Sequence, residues 1–151
     1  MKKIVSILFV ALIALAFMGC PTQFKDLELP SIVDCYIVGA PNFKAPDVNV
    51  FELMKDNGDS TCSYEFTYKT AMSSNWGSPS DGICFKVTDG DGSWTALYAN
   101  SALTVGGGYV PSEKGDGKDG NASVSGLTDG TTYVITVNYG VKPFQAKIDA
   151  K

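Results

Sequence analysis

Gly130-Thr131-Thr132-Tyr133-Val134-Ile135-Thr136-Val137-Asn138 alternates large apolar residues with polar ones and opens on a Gly-Thr turn. Tyr133, Ile135, Val137 and Tyr139 fall on one face of an extended chain, and Thr132, Thr136 and Asn138 on the other. Strict period two over this length predicts a strand with one face in a core and one in water. The same period recurs upstream and downstream. Tyr64, Phe66 and Tyr68 alternate with Ser63, Glu65, Thr67 and Lys69. Ile83, Phe85 and Val87 alternate with Cys84, Lys86 and Thr88, and Phe144, Ala146 and Ile148 with Gln145, Lys147 and Asp149. Each set predicts a strand that shows its second residue class to solvent.

Less regular strand-like runs lie at Ile32 to Val38, Val48 to Met54, Trp94 to Tyr98 and Ala122 to Ser125, bringing the expected count to about eight. Asp56-Asn57-Gly58-Asp59 is a strong turn and predicts a hairpin between the 48–54 run and the Tyr64 strand. Turn signals recur at roughly 8–12-residue intervals, the spacing of β-sandwiches. No stretch past residue 20 carries a sustained helical stripe, so helix content is expected near zero. The expected fold is all-β, a single antiparallel immunoglobulin-like β-sandwich over residues 31–150. Two polar loops, 72–82 and 106–121, are too long to be mere connectors.

The first twenty residues are of another kind. Lys2 and Lys3 precede an uncharged apolar run, Ile4 to Phe17, shorter than the about 20 residues that span a bilayer. This is the layout of an export signal. Its ending, Phe17-Met18-Gly19-Cys20, resembles a lipobox, with Phe17 and Met18 in a looser arrangement similar to that of spirochaete lipoproteins. The resemblance implies a signal peptide at 1–19, lipid on the sulfur and amine of Cys20, and a tether at 20–30 lifting the domain off a membrane. A plain secretory signal cut nearby is the alternative.

Removing residues 1–19 from 151 leaves 132, enough for one domain with a core. Losing Lys2 and Lys3 from the 12 basic residues leaves 10 against 16 acidic ones, a net charge of −6. Every basic residue is lysine; the chain has no arginine and no histidine. That removes the imidazole used in triads, His metal sites and acid–base work near neutral pH. An acidic chain without arginine is also a poor binder of phosphate backbones, which excludes nucleic acid as a partner. Cys35, Cys62 and Cys84 lack the short Cys-x-x-Cys clips of zinc sites. They are either buried free thiols, or one bridge with one thiol left over. Asp89-Gly90-Asp91-Gly92-Ser93 begins like a calcium loop, but Trp94 and Asn100 stand where an EF-hand needs glycine and glutamate. A loose site at Asp89 and Asp91, or at Asp116 and Asp119, competes with ordinary turn capping; no metal or cofactor is assigned. Gly106 to Gly120 lacks the phosphate-cradling spacing.

Taken in order, Tyr36-Ile37-Val38-Gly39, Asp56-Asn57-Gly58-Asp59, Phe85-Lys86-Val87, Ser93-Trp94 to Tyr98 and Gly130-Thr131-Thr132-Tyr133 resemble SusE/SusF-type starch-binding domains over nearly all of 32–149. Ala40-Pro41 replaces the acidic residue common there after the glycine, and Ala99 a glycine. The resemblance implies a non-catalytic, lipid-anchored glycan binder at the outer membrane. Stacking on a sugar ring needs an exposed aromatic face with polar groups at its rim. Trp76, flanked by Ser73-Ser74-Asn75 and Gly77-Ser78-Pro79, has no local apolar set claiming it for a core. The candidate ligand contacts are Trp76, Trp94, Tyr98, Lys86 and Asn75, with Lys86 expected to point outward from its strand. The alternative is a surface or periplasmic lipoprotein that binds a protein partner, as an adhesin or transporter accessory, through the 106–121 loop.

Overall fold

Thr132–Asn138 does form a strand, and its burial alternates as its sequence does. A computed structural model describes residues 33–42, 49–113 and 120–151. The export signal, Cys20, the tether and the tract at 114–119, with Asp116 and Asp119, lie outside the described residues. Eleven strands are present among the described residues: β1 (Tyr36–Gly39), β2 (Glu52–Leu53), β3 (Lys55–Asp56), β4 (Thr61–Thr67), β5 (Ile83–Thr88), β6 (Ala96–Tyr98), β7 (Ala102–Leu103), β8 (Val110–Pro111), β9 (Ala122–Val124), β10 (Thr132–Asn138) and β11 (Gln145–Ala150). The helical content is two short 3-10 turns, Ala40–Asn42 and Thr70–Ser74.

The strands make two sheets facing each other as a β-sandwich. The first has the order β2-β1-β5-β9-β7, with β6 also paired to β5; the second has the order β3-β4-β10-β11-β8. Among the described residues the named strands pair antiparallel except β7 with β9, and an isolated parallel bridge joins Val105 to Ile148. In the first sheet β5 is central. It pairs with β1 along one edge, while β9 and β6 take successive halves of the other. Gly39 lets β1 approach β5 closely: it has φ 144°, and a Cβ there would lie 2.6 Å from the Cys84 carbonyl oxygen. The core between the sheets joins Ile37, Ile83, Phe85, Val87, Tyr98 and Val124 to Cys62, Phe66, Tyr133, Ile135, Val137, Ala146 and Ile148. Each such fully buried large side chain is worth about 1.5–3 kcal/mol relative to exposure.

Three expectations change. The 48–54 run is not one strand of a hairpin. Glu52–Leu53 pairs with β1 in the first sheet, and past Met54 the chain crosses so that Lys55–Asp56 pairs with β4 in the second. The Asp56–Asp59 turn therefore closes only the short β3–β4 hairpin, with the Gly58 N–H donating to Asp56 Oδ1 and the Asn57 N–H to the Thr61 carbonyl. Second, β5 is buried along its entire length. Ile83, Phe85 and Val87 enter the core as expected, but Cys84, Lys86 and Thr88 on the opposite face are covered too. The covering comes from the chain on either side of the strand: Ser78 Oγ accepts the Cys84 N–H at 2.7 Å, Cys84 Sγ reaches the Gly77 carbonyl, and Thr88 Oγ1 donates to the Gly90 carbonyl. Third, Tyr64 is only half-buried. Its hydroxyl donates to Glu52 Oε2, joining β4 to β2 across the sheets, and burial followed by this carboxylate pushes the phenol pKa up. The three described cysteines are free and buried.

Candidate functional site

The loops lying over the outer face of the first sheet carry both tryptophans of the chain. After the 3-10 turn Thr70–Ser74, the chain makes a tight turn at 75–78, in which the Ser78 N–H and Oγ both donate to the Asn75 carbonyl. Trp76 and Gly77 occupy its centre with φ 59° and 67°, the positive values of a primed turn. Glycine adopts this conformation freely, whereas for tryptophan it costs roughly 1–2 kcal/mol, and such strain concentrates at functional positions. The turn is held from outside: Asp129 Oδ1 accepts from the N–H and hydroxyl of Thr70, and Asn121 Nδ2 donates to the Trp76 carbonyl.

Trp94 arrives from the β5–β6 loop. There Ser93 Oγ donates to Asp89 Oδ1 at 2.5 Å and accepts the Thr95 N–H, so Asp89 works as a turn cap. The two indoles meet with centroids 5.8 Å apart and planes at 21°, an offset stack. Trp94 remains 45% exposed and Trp76 half-buried. Phe51 packs edge-on against Trp94 at 5.1 Å and 81°. Asn49 Oδ1 accepts the Trp76 Nε1–H at 3.0 Å. The segment bearing Phe51 and Asn49 is set by buried Asn42, whose amide donates to the carbonyls of Ile37 and Val50 at 2.8 and 2.7 Å and accepts the Gly39 N–H.

Of the five expected contacts, the fold brings Trp76, Trp94 and Asn75 to this surface. Asn75 lies on the Trp76 turn, half-buried. Tyr98 does not belong there. It is 0% exposed, its ring stacks on Phe85 inside the core, and burial, eased by Ser101, pushes its phenol pKa up. Its position on β6 opposite Val87 explains this, because Val87 also faces the core. Lys86 does point away from the core, but it is only 6% exposed and is engaged within the fold rather than solvated. Tyr109, another loop aromatic, lies instead beside the ammonium of Lys147 on the second sheet.

Phe51 and Asn49 were missed. Their signal was parity: Phe51 alternates against Met54, which enters the core, so the same extended stretch must turn Phe51 the other way. What results is a cluster of three aromatic rings in which Trp94 is exposed, Phe51 and Trp76 are half-buried, and the Asn49 amide is bonded to the Trp76 indole. Compared with protein-family models, with curated proteins and with solved structures, the chain gives no match.

Proposed function

We propose that the protein is a non-catalytic, membrane-anchored lipoprotein of the cell envelope that binds an oligosaccharide through the Trp76–Trp94 surface. One observation carries this reading. Two tryptophans 18 positions apart, Trp76 singled out by its polar surroundings and Trp94 by its place in the ordered motifs, stack on each other and leave Trp94 exposed. An exposed tryptophan held by a second indole and a phenyl edge is a pre-organised platform for the apolar face of a pyranose. Asn49 and Asn75 lie where they can meet hydroxyl groups at its rim. The likeness of the ordered motifs to SusE/SusF-type domains supports a starch-like glycan as ligand, and the lipobox-like Cys20 supports lipid anchorage at the bacterial outer membrane.

Affinity electrophoresis of the domain through gels containing α- or β-glucans tests the binding. Retardation by at least one polymer is expected, lost in Trp94→Ala without loss of folding. Free migration through the whole panel would overturn the glycan reading and favour a protein partner. Anchorage is tested separately: Cys20→Ser is expected to move the protein from the membrane to the soluble fraction.

A further inference from the structure

The way the two tryptophans meet limits how much of a sugar chain their surface holds. Their centroids are 5.8 Å apart and their planes lie at 21°, so each indole covers part of one face of the other. The remaining faces of a stacked pair point in opposite directions, and a ligand lying on one does not lie on the other. A platform for two consecutive sugar units needs two rings side by side with their faces turned the same way. Trp76 is also withdrawn: it is half-buried, its Nε1–H is held by Asn49 Oδ1 and its carbonyl by Asn121. Phe51 does not extend the platform either, because its plane stands at 81° to that of Trp94. The other exposed aromatic among the described residues, Tyr109, lies beside Lys147 on the second sheet. One ring's worth of stacking surface remains, and it belongs to Trp94.

We propose that this site takes a single uncharged pyranose unit at a time and does not run along a glycan chain. The inference rests on the glycan reading above and narrows it. Charge decides the class of sugar. The segments that bring the rings together, 49–53, 70–82 and 89–95, contain no lysine, while Asp81, Asp89 and Asp91 are exposed on them. A uronic acid or a sulfated sugar meets like charge there, and a neutral hexose does not. At an ordinary efficiency per atom, one sugar ring is held with a Kd of roughly 1 mM. Chain length then counts only through the number of rings offered, so a polymer retains the protein by density of units and not by a longer fit.

The test titrates the full chain, carried in phospholipid vesicles, with glucose oligomers of the α-1,4 and β-1,4 series from disaccharide to hexasaccharide. Tryptophan emission is the readout, since both indoles are in the stack. In the series that binds, Kd is expected to fall by no more than about threefold from disaccharide to hexasaccharide, the statistical factor for the added rings. Oligogalacturonate of equal length should bind more weakly. Trp94→Ala should abolish the response, and Tyr109→Ala should leave it unchanged. A Kd that falls tenfold or more with length, as a second stacked ring would give, overturns the single-unit inference and leaves the glycan reading standing. Tighter binding of the galacturonate overturns the assignment to an uncharged sugar. No response to either glucose series overturns the glucan reading and this inference with it.

Discussion

β5 and β10 occupy equivalent central places in the two sheets, and their sequences alternate alike, yet only β10 has a wet face. Along β10, Tyr133, Ile135 and Val137 are buried while Thr132, Val134, Thr136 and Asn138 stay half-open. The outer face of the second sheet is a solvated lattice of small pairs, such as Thr67 with Thr132, Lys147 with Asp149 and Lys151 with Glu65. Exposed pairs of this kind add little stability. Along β5 no residue is open. The loops that cover its outer face also carry Trp76 and Trp94, so the face that lost its solvent is the face over which the two indoles stack. A strand with ordinary alternation becomes doubly buried when the loops that flank it fold back over its outer face.

The largest expected effect tests the difference directly. Thr88→Asp places a carboxylate at a fully buried outer position of β5 and should cost about 3–5 kcal/mol, the cost of an uncompensated buried charge. Thr136→Asp makes the same change on the outer face of β10 opposite Lys147 and should stay within about 0.5 kcal/mol. Urea denaturation of the two variants decides; equal losses would erase the contrast.

Gly82→Ala attacks the loop covering at its tightest point. An added Cβ would lie 1.8 Å from the Val124 carbonyl oxygen, backbone against backbone. A loss of about 1–3 kcal/mol is expected from this overpacking, read as a drop in melting temperature accompanied by weaker glycan retention. Asn49→Ala is milder. It leaves the Trp76 Nε1–H to water at an exposed site, for about 0.5–1 kcal/mol, and faster solvent exchange of that indole proton by NMR is the sensitive readout.

The smallest effect is a pH dependence in the covering loop. Asp129 has its carboxyl pKa lowered from 3.8, chiefly by the Thr70 N–H, which with the Thr70 hydroxyl and Lys69 outweighs the opposing desolvation. A depressed folded-state pKa means that the tie is fully present above the ordinary aspartate value and fades as pH falls through the depressed one. Protection of the Thr70 amide against hydrogen exchange should hold at neutral pH and decline in acid below pH 3.8. Asp129→Asn should remove that pH dependence.

The second sheet could be read in the sequence because its alternation survives in the fold. Period two in β10 and β11 decides which residues face the core, and the β3–β4 and β10–β11 pairings follow from short turns, whereas β4 meets β10 from far along the chain. The first sheet was less legible. Alternation in Cys84-Phe85-Lys86 does not say that the flanking Ser78, Gly77 and Gly90 fold back over its outer face, and nothing near Met54 announces that the chain changes sheets there. Tyr98 was misjudged as a loop aromatic because it ends a short run beside a loop, while its burial comes from pairing with Val87. Trp76 was legible as a residue with no local core to join, and Trp94 by its place in the ordered motifs. Their meeting was not, since it depends on three segments converging from 49–51, 76 and 94.

That meeting has an optical consequence. The chain contains two tryptophans and both are in the stack. Indole transition dipoles held 5.8 Å apart at a fixed skew couple strongly, so the pair should give an exciton couplet in far-ultraviolet circular dichroism, set against the weak background of a β protein. Any ligand that slides, parts or clamps the rings would change the couplet without a label. The protein thus carries its own chromophore pair at the one place where a bound molecule would make itself seen.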